Sequence, residues 1–308
     1  MKAAGSIATA SAAPSGRLAG ADLGLYAVTV LVWGTSWIAM KGQLGEVSPE
    51  VSTFWRFLLA APLMWLWAAA RGERLAWPLA DHARFAASGA FLFSLNLMLF
   101  LYAAQHLASG LLAVVFSLVS ILNLLMGALA LGQPVERRVA AGGLLGVLGV
   151  GLLYWPEFSR TGLSGGALAG LGLALAGTLS FCLGNLAATL AQRRGVPMLA
   201  ATAWGMTYGV AVLGLVALVR GQAFAVEWTP RYLGATVYLA LFASVVAFAS
   251  YLTLLRRIGA ARAGYATVLF PIVALTVSTL LEGYRWTLPA ALGAALALSG
   301  NVLVLRRR

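Results

Sequence analysis

The chain has 308 residues, 61% of them hydrophobic and only 10% charged, with a mean hydropathy of +0.89. A soluble domain carries charge on about a quarter of its residues, so this composition excludes a water-soluble globular protein. The net charge of +12 would suggest a nucleic-acid partner in a soluble chain, but here the cations fall between long apolar runs, which excludes that class too.

Residues 1–21 are rich in Ala, Ser and Gly, carry Lys2 and Arg17, and contain no acid. They read as a short cytoplasmic tail; the alternative is an organellar transit peptide, and the apolar stretch of a secretory signal is missing. Asp22 is then expected to open the first span as a helix N-cap. Ten apolar runs follow: Asp22 to Met40, Val51 to Ala70, Ala83 to Ala104, Gly110 to Leu131 and Val139 to Trp155 in the first half. The second half holds Gly165 to Ala191, Met198 to Val219, Tyr232 to Leu255, Ala263 to Leu281 and Thr287 to Leu305. Each is long enough for a helix to cross roughly 30 Å of hydrocarbon, so the expected fold is all-α, a polytopic membrane protein of ten transmembrane helices. The single cysteine, Cys182, lies inside a span and carries no information on compartment.

Cations alternate from gap to gap. The side of the N-terminus holds Lys2, Arg17, Arg71, Arg74, Arg84, Arg137, Arg138, Arg193, Arg194, Arg256, Arg257, Arg262 and Arg306 to Arg308, fifteen in all. The other side holds five, namely Lys41, Arg160, Arg220, Arg231 and Arg285, and Arg56 lies within the second run. Positive residues are retained on the cytoplasmic side, so both termini are expected there, in a cell inner membrane.

The chain also resembles itself. A shift of 148 residues lays Trp33 on Phe181, Gly24 on Gly172 and Pro49 on Pro197, and a shift of 151 lays Gly132, Gly142 and Gly149 on Gly283, Gly293 and Gly300. Both divide the chain into five-helix repeats at 22–155 and 165–305, joined by a loop at 156–164 and closed by the basic end 306–308. An odd number of spans turns the second repeat upside down. Inverted repeats of this kind give a central chamber exposed to each side in turn, which favours a carrier by alternating access.

Several motifs resemble the drug/metabolite transporter superfamily and its EamA-type members. These are Trp33-Gly34-Thr35-Ser36-Trp37 in the first span, Pro49, the Arg of Phe54-Trp55-Arg56-Phe57, Leu269-Phe270-Pro271, and the Gly132, Gly142 and Gly149 passage. The chain departs from the family pattern at Gly132-Gln133 and Gly283-Tyr284, where Gly-Glu is common, and at Ser120, where the first-half Pro would stand. Within the superfamily it is most similar to YddG-type exporters of aromatic and other amino acids. The resemblance implies export of small amphipathic metabolites, and for Pro271 a hinge in a moving helix.

The candidate substrate-binding residues are Trp33, Ser36, Trp37, Asn96, Tyr102, Asn185 and Tyr265. Trp33 and Trp37 share one helix face with Ser36 beside them. Trp33 lies too deep for the interfacial belt, leaving a cavity wall or lipid-facing packing, whereas Trp37 also suits the belt. Asn96, Asn123 and Asn185 are mid-span amides that must face inward, either bonding neighbouring helices or orienting a polar solute. Tyr102 and Tyr265 serve as gates or interfacial anchors. Arg56 is the one charge deep in a span: it attracts a substrate carboxylate, or it snorkels or pairs with Glu46 or Glu50. Pro62 is expected to shape packing only.

All nine acids fall at span ends or loops, which points to facilitated diffusion or exchange rather than a proton relay. No cysteine–histidine spacing, phosphate loop or carboxylate pair indicates a metal, a cofactor or an enzyme. A lipid-modifying membrane enzyme is therefore the rival class, a channel a second one, and a multidrug carrier the alternative within the same fold. The expected partners are a small-molecule substrate and the bilayer; a monomer suffices, with oligomeric state left open.

Overall fold

A computed structural model describes residues 20–132, 137–161 and 166–305. The tail with Lys2 and Arg17, Gln133, residues 162–164 of the connecting loop and Arg306 to Arg308 lie outside the described residues. The loop expected from residue 156 does not begin there, because the helix that begins at Arg137 runs on through Thr161. Ten helices are long and apolar enough to cross a membrane: α1 (Gly20–Gly42), α2 (Pro49–Ala70), α3 (Leu79–Ala104), α4 (Ser109–Ala130), α5 (Arg137–Pro156), α6 (Gly166–Gln192), α7 (Met198–Val219), α8 (Pro230–Gly259), α9 (Arg262–Leu281) and α10 (Leu288–Leu305). Among the described residues every regular element is a helix.

Local chemistry sets the ends. Prolines begin α2 and α8, where the missing N–H is not needed, and Thr229 caps α8 by accepting from the Tyr232 N–H at 3.3 Å. Helix α3 starts at Leu79, earlier than the expected Ala83, because Pro78 is extended and Asp81 places a negative charge in the first turn. Asp22 is not the N-cap expected: it lies inside the first turn of α1 and pairs with Arg257 at 2.8 Å. Gly259, at φ 81°, breaks the path from α8 to α9 in a conformation that glycine alone adopts cheaply.

Large apolar side chains point outward. Leu66, Leu129, Leu144, Val147, Leu215 and Leu218 are each more than 60% exposed, a pattern that suits hydrocarbon and not water. Helices meet through small residues instead. A Cβ on Gly142 would lie 2.7 Å from the Gly300 carbonyl, and one on Gly149 would lie 2.7 Å from the Gly293 carbonyl, so α5 and α10 touch backbone to backbone and run antiparallel. Likewise α2 packs on α7 and α4 on α9, while α1 packs on α8 and α9 as α6 packs on α3 and α4. The pattern is unchanged when the first five helices exchange names with the last five.

Two wide-turn segments repeat as well. Helix α3 contains a π-helical stretch at Gly89–Leu95 and α8 one at Tyr238–Val246. In α4 the helix is interrupted at Leu118, and Tyr265 interrupts the start of α9. Just beyond these breaks the Ser120 and Thr267 hydroxyls meet at 3.0 Å.

Candidate substrate chamber

Trp33 and Trp37, one turn apart on α1, have different surroundings. Trp33 is half-buried, donates its indole N–H to the Ala243 carbonyl at 3.3 Å, and lies 5.1 Å from the Tyr251 ring. Trp37 is only 7% exposed and sits among Phe100 at 5.0 Å, Phe116 at 5.5 Å and Phe270 at 6.4 Å, with Phe181 extending the cluster through Phe116. The aromatic block therefore seals the interior on the Trp37 side. Pro271, the expected hinge, is buried within a helix that continues through it, and Gly34 lets the Phe270 carbonyl and Val273 approach α1.

The remaining candidates divide. Ser36 donates to the Trp33 carbonyl at 2.7 Å, a bond within its own helix. Asn96, 2% exposed, donates to the Gly177 carbonyl at 2.9 Å and ties α3 to α6. Asn185 reaches Asn123 at 3.5 Å, both half-buried, linking α6 to α4. Tyr265 is half-buried and lies near Tyr26, which also neighbours Tyr251 beside Trp33. Thus Trp33, Tyr251, Tyr26 and Tyr265 line one region towards the face bearing the chain ends.

Tyr102 lies elsewhere. At the end of α3 it donates to Glu50 at 2.8 Å and accepts from Arg220 at 2.7 Å, while Arg220 also pairs with Glu50 at 3.1 Å. The phenol hydrogen bond, followed by the Glu50 charge, pushes the Arg220 pKa up from its ordinary value. A second cluster on the same face joins Lys41 to Glu282 at 2.9 Å, with the Ser109 N–H donating to Glu282 at 2.9 Å and the Ser109 hydroxyl donating to the same oxygen. Burial raises the Glu282 pKa, but the hydrogen bonds from Ser109, Lys41 and Ser278, with the Lys41 charge, outweigh it and leave the carboxyl below its ordinary value. Gln43 adds a third tie, donating to Thr236 at 3.0 Å. The ends of α1, α2, α3, α4, α7, α8 and α9 are thereby stitched together on the face opposite the chain ends.

Glu50 lies at a span end, as the sequence places it, in the first turn of α2 after Pro49, but it is fully buried there, which the sequence did not indicate. Nothing in the sequence marked Ser244 or Tyr251, and Thr35, whose hydroxyl lies 2.6 Å from that of Tyr238, stood out only as a member of the first-span motif. Arg56 does not snorkel or pair with Glu50: it is 8% exposed, donates through Nε to Ser244 at 3.1 Å, and lies over the Phe57 ring at 5.3 Å. No grouping of three metal-ligating side chains occurs among the described residues. A separate apolar groove of about 650 Å³ runs between α2 and α7, with Pro62, Trp65 and Thr207 in its wall.

The model of the EamA-like transporter family matches the chain twice, over residues 23–155 and 168–306. Similar proteins include the inner membrane transporter YedA of Escherichia coli, 28% identical with 86% of this chain and 83% of YedA covered. They also include an uncharacterized transporter of Archaeoglobus fulgidus, 24% identical with 92% and 98% covered, and PagO of Salmonella typhimurium, 23% identical with 84% of each chain covered. A solved structure at 18% identity covers 92% of this chain and 95% of its own with a TM-score of 0.66, a likeness of fold alone.

Proposed function

The chain belongs to the EamA-like transporter family, and from that premise we propose that it exports small amphipathic metabolites, amino acids with aromatic side chains foremost, by alternating access. The two halves act as inverted repeats in the inner membrane, with both termini in the cytoplasm. The antiparallel crossing of α5 on α10 and the double family match support the inversion, and the fifteen-to-five division of cations supports the orientation.

The observation that carries the reading is the step from Trp33 to Trp37. One indole borders a region towards the chain ends, and the next, about 6 Å further along the helix, is closed by aromatic packing and backed by the Glu50 and Glu282 clusters. A solute entering from the cytoplasm meets Trp33, Tyr251 and Tyr265, apolar rings with polar tips that suit an amphipathic body. Breaking the clusters on the opposite face and forming equivalent contacts at the cytoplasmic face would release it outward. With no carboxylate at mid-span, transport proceeds by facilitated diffusion or exchange.

Purified protein in liposomes, tested with radiolabelled amino acids with and without a pH gradient, examines the whole reading. Saturable counterflow of an aromatic amino acid that Trp33→Ala lowers at least tenfold is the expected result. Single-channel conductance, or flux only of hydrophobic cationic drugs, would defeat it.

A further inference from the structure

Arg56 enters the same region from α2 and carries a chemical demand that the protein itself leaves unmet. Its Nε donates to Ser244 at 3.1 Å, and Ser244 sends its own proton to the Leu239 carbonyl at 2.9 Å. The hydroxyl, spent as a donor inside the π-helical turn of α8, thus offers its lone pairs to the guanidinium and aims it. Among the described residues no carboxylate lies within ion-pairing distance of Arg56, and its two amino nitrogens have no protein partner. The nearest acid on its own helix, Glu50, is engaged by Tyr102 and Arg220. A guanidinium 8% exposed, held by one neutral hydrogen bond and the face of the Phe57 ring and with no carboxylate beside it, favours an anion in its fork. The same π turn holds Trp33, whose indole docks on Ala243, the residue before Ser244. A cation and an aromatic plate are therefore fastened to adjacent residues of one turn.

We propose that Arg56 receives the carboxylate of the transported solute, which makes a carboxylate with a neighbouring apolar body the substrate class and excludes amines and neutral drugs. This rests on the carrier reading above. The π turn acts as the common mount, Ser244 fixing the carboxylate end and Ala243 the aromatic wall.

Thermal unfolding of the purified protein in detergent, titrated with L-phenylalanine, L-phenylalaninamide, L-threonine or sodium chloride, tests it. The wild type should be protected by the free amino acids with a Kd at least tenfold lower than for the amide. Arg56→Gln should abolish that preference, Arg56→Lys should retain part of it, and Ser244→Ala should weaken it several-fold while leaving the charge in place. Equal protection by amide and acid, equal protection by sodium chloride, no protection by either amino acid, or an unchanged preference in Arg56→Gln would each overturn the assignment. If Arg56→Gln does not fold, the Arg56→Lys and Ser244→Ala titrations decide by the same criterion. Liposome flux separates the two readings: carboxylate binding without flux defeats the carrier and leaves the site standing, whereas equal flux of acid and amide does the reverse.

Discussion

The π turns of α3 and α8 occupy matching places in the two halves and carry serines, Ser94 and Ser244, 150 residues apart. Both donate back to the carbonyl five residues earlier, at 2.9 Å in each case. What faces them differs. Ser94 meets the Gly209 carbonyl of α7 at 3.0 Å, so its hydrogen is shared between two acceptors. Ser244 meets the Arg56 N–H of α2 and accepts. A hydroxyl has one proton and two lone pairs, and the neighbour decides which is used. One backbone device thus makes a tight helix contact in the first half and a charged mount in the second.

The comparison is broken most severely at Gly89, which begins the first π turn. A Cβ there would lie 2.6 Å from the Gly205 carbonyl and 2.8 Å from the Gly209 N–H, both backbone atoms unable to swing aside. Gly89→Leu should destabilise by about 3 kcal/mol or prevent folding, although the matching position of α8 holds a buried leucine, Leu239. Chromatography of detergent extracts after heating measures the loss. Ser94→Ala should cost about 1 kcal/mol, read as a lower unfolding temperature, with amino-acid preference unchanged; a changed preference would merge the two turns into one site.

Trp33→Phe keeps a ring on the second turn but removes the 3.3 Å bond to Ala243. It should cost under about 1 kcal/mol of stability and lower amino-acid flux a few-fold in liposomes. The smallest effect concerns neither turn. Because the folded Glu282 pKa is depressed from 4.5, its contribution to stability is complete above that pH and fades as pH falls through the lower folded value. Glu282→Gln should flatten the acid limb of unfolding temperature against pH and leave the solute preference of the second turn intact.

Much of the fold was legible because hydrocarbon imposes one requirement throughout: backbone groups must be satisfied within each helix while the outside remains apolar. Ten runs and small-residue contacts such as Gly142 on Gly300 follow from that. The site was legible only in part. Trp33 and Arg56 were visible as residues in unusual places, but Tyr102 looked the same from sequence and lies in the Glu50–Arg220 cluster at a helix end. Asn96 was rightly expected to face inward, yet its donor is spent on Gly177.

The amino-acid order alone determined the class of protein, the number of crossings and the split of cations between faces, since each depends on the length and charge of segments taken singly. Which indole is half-buried and which is sealed, and whether a mid-span arginine finds an acid or a serine, was decided only by the folded bundle. Those outcomes depend on groups far apart in the chain meeting at hydrogen-bond distance, as the Trp33 indole meets the Ala243 carbonyl 210 residues away, and local pattern carries no information about such encounters.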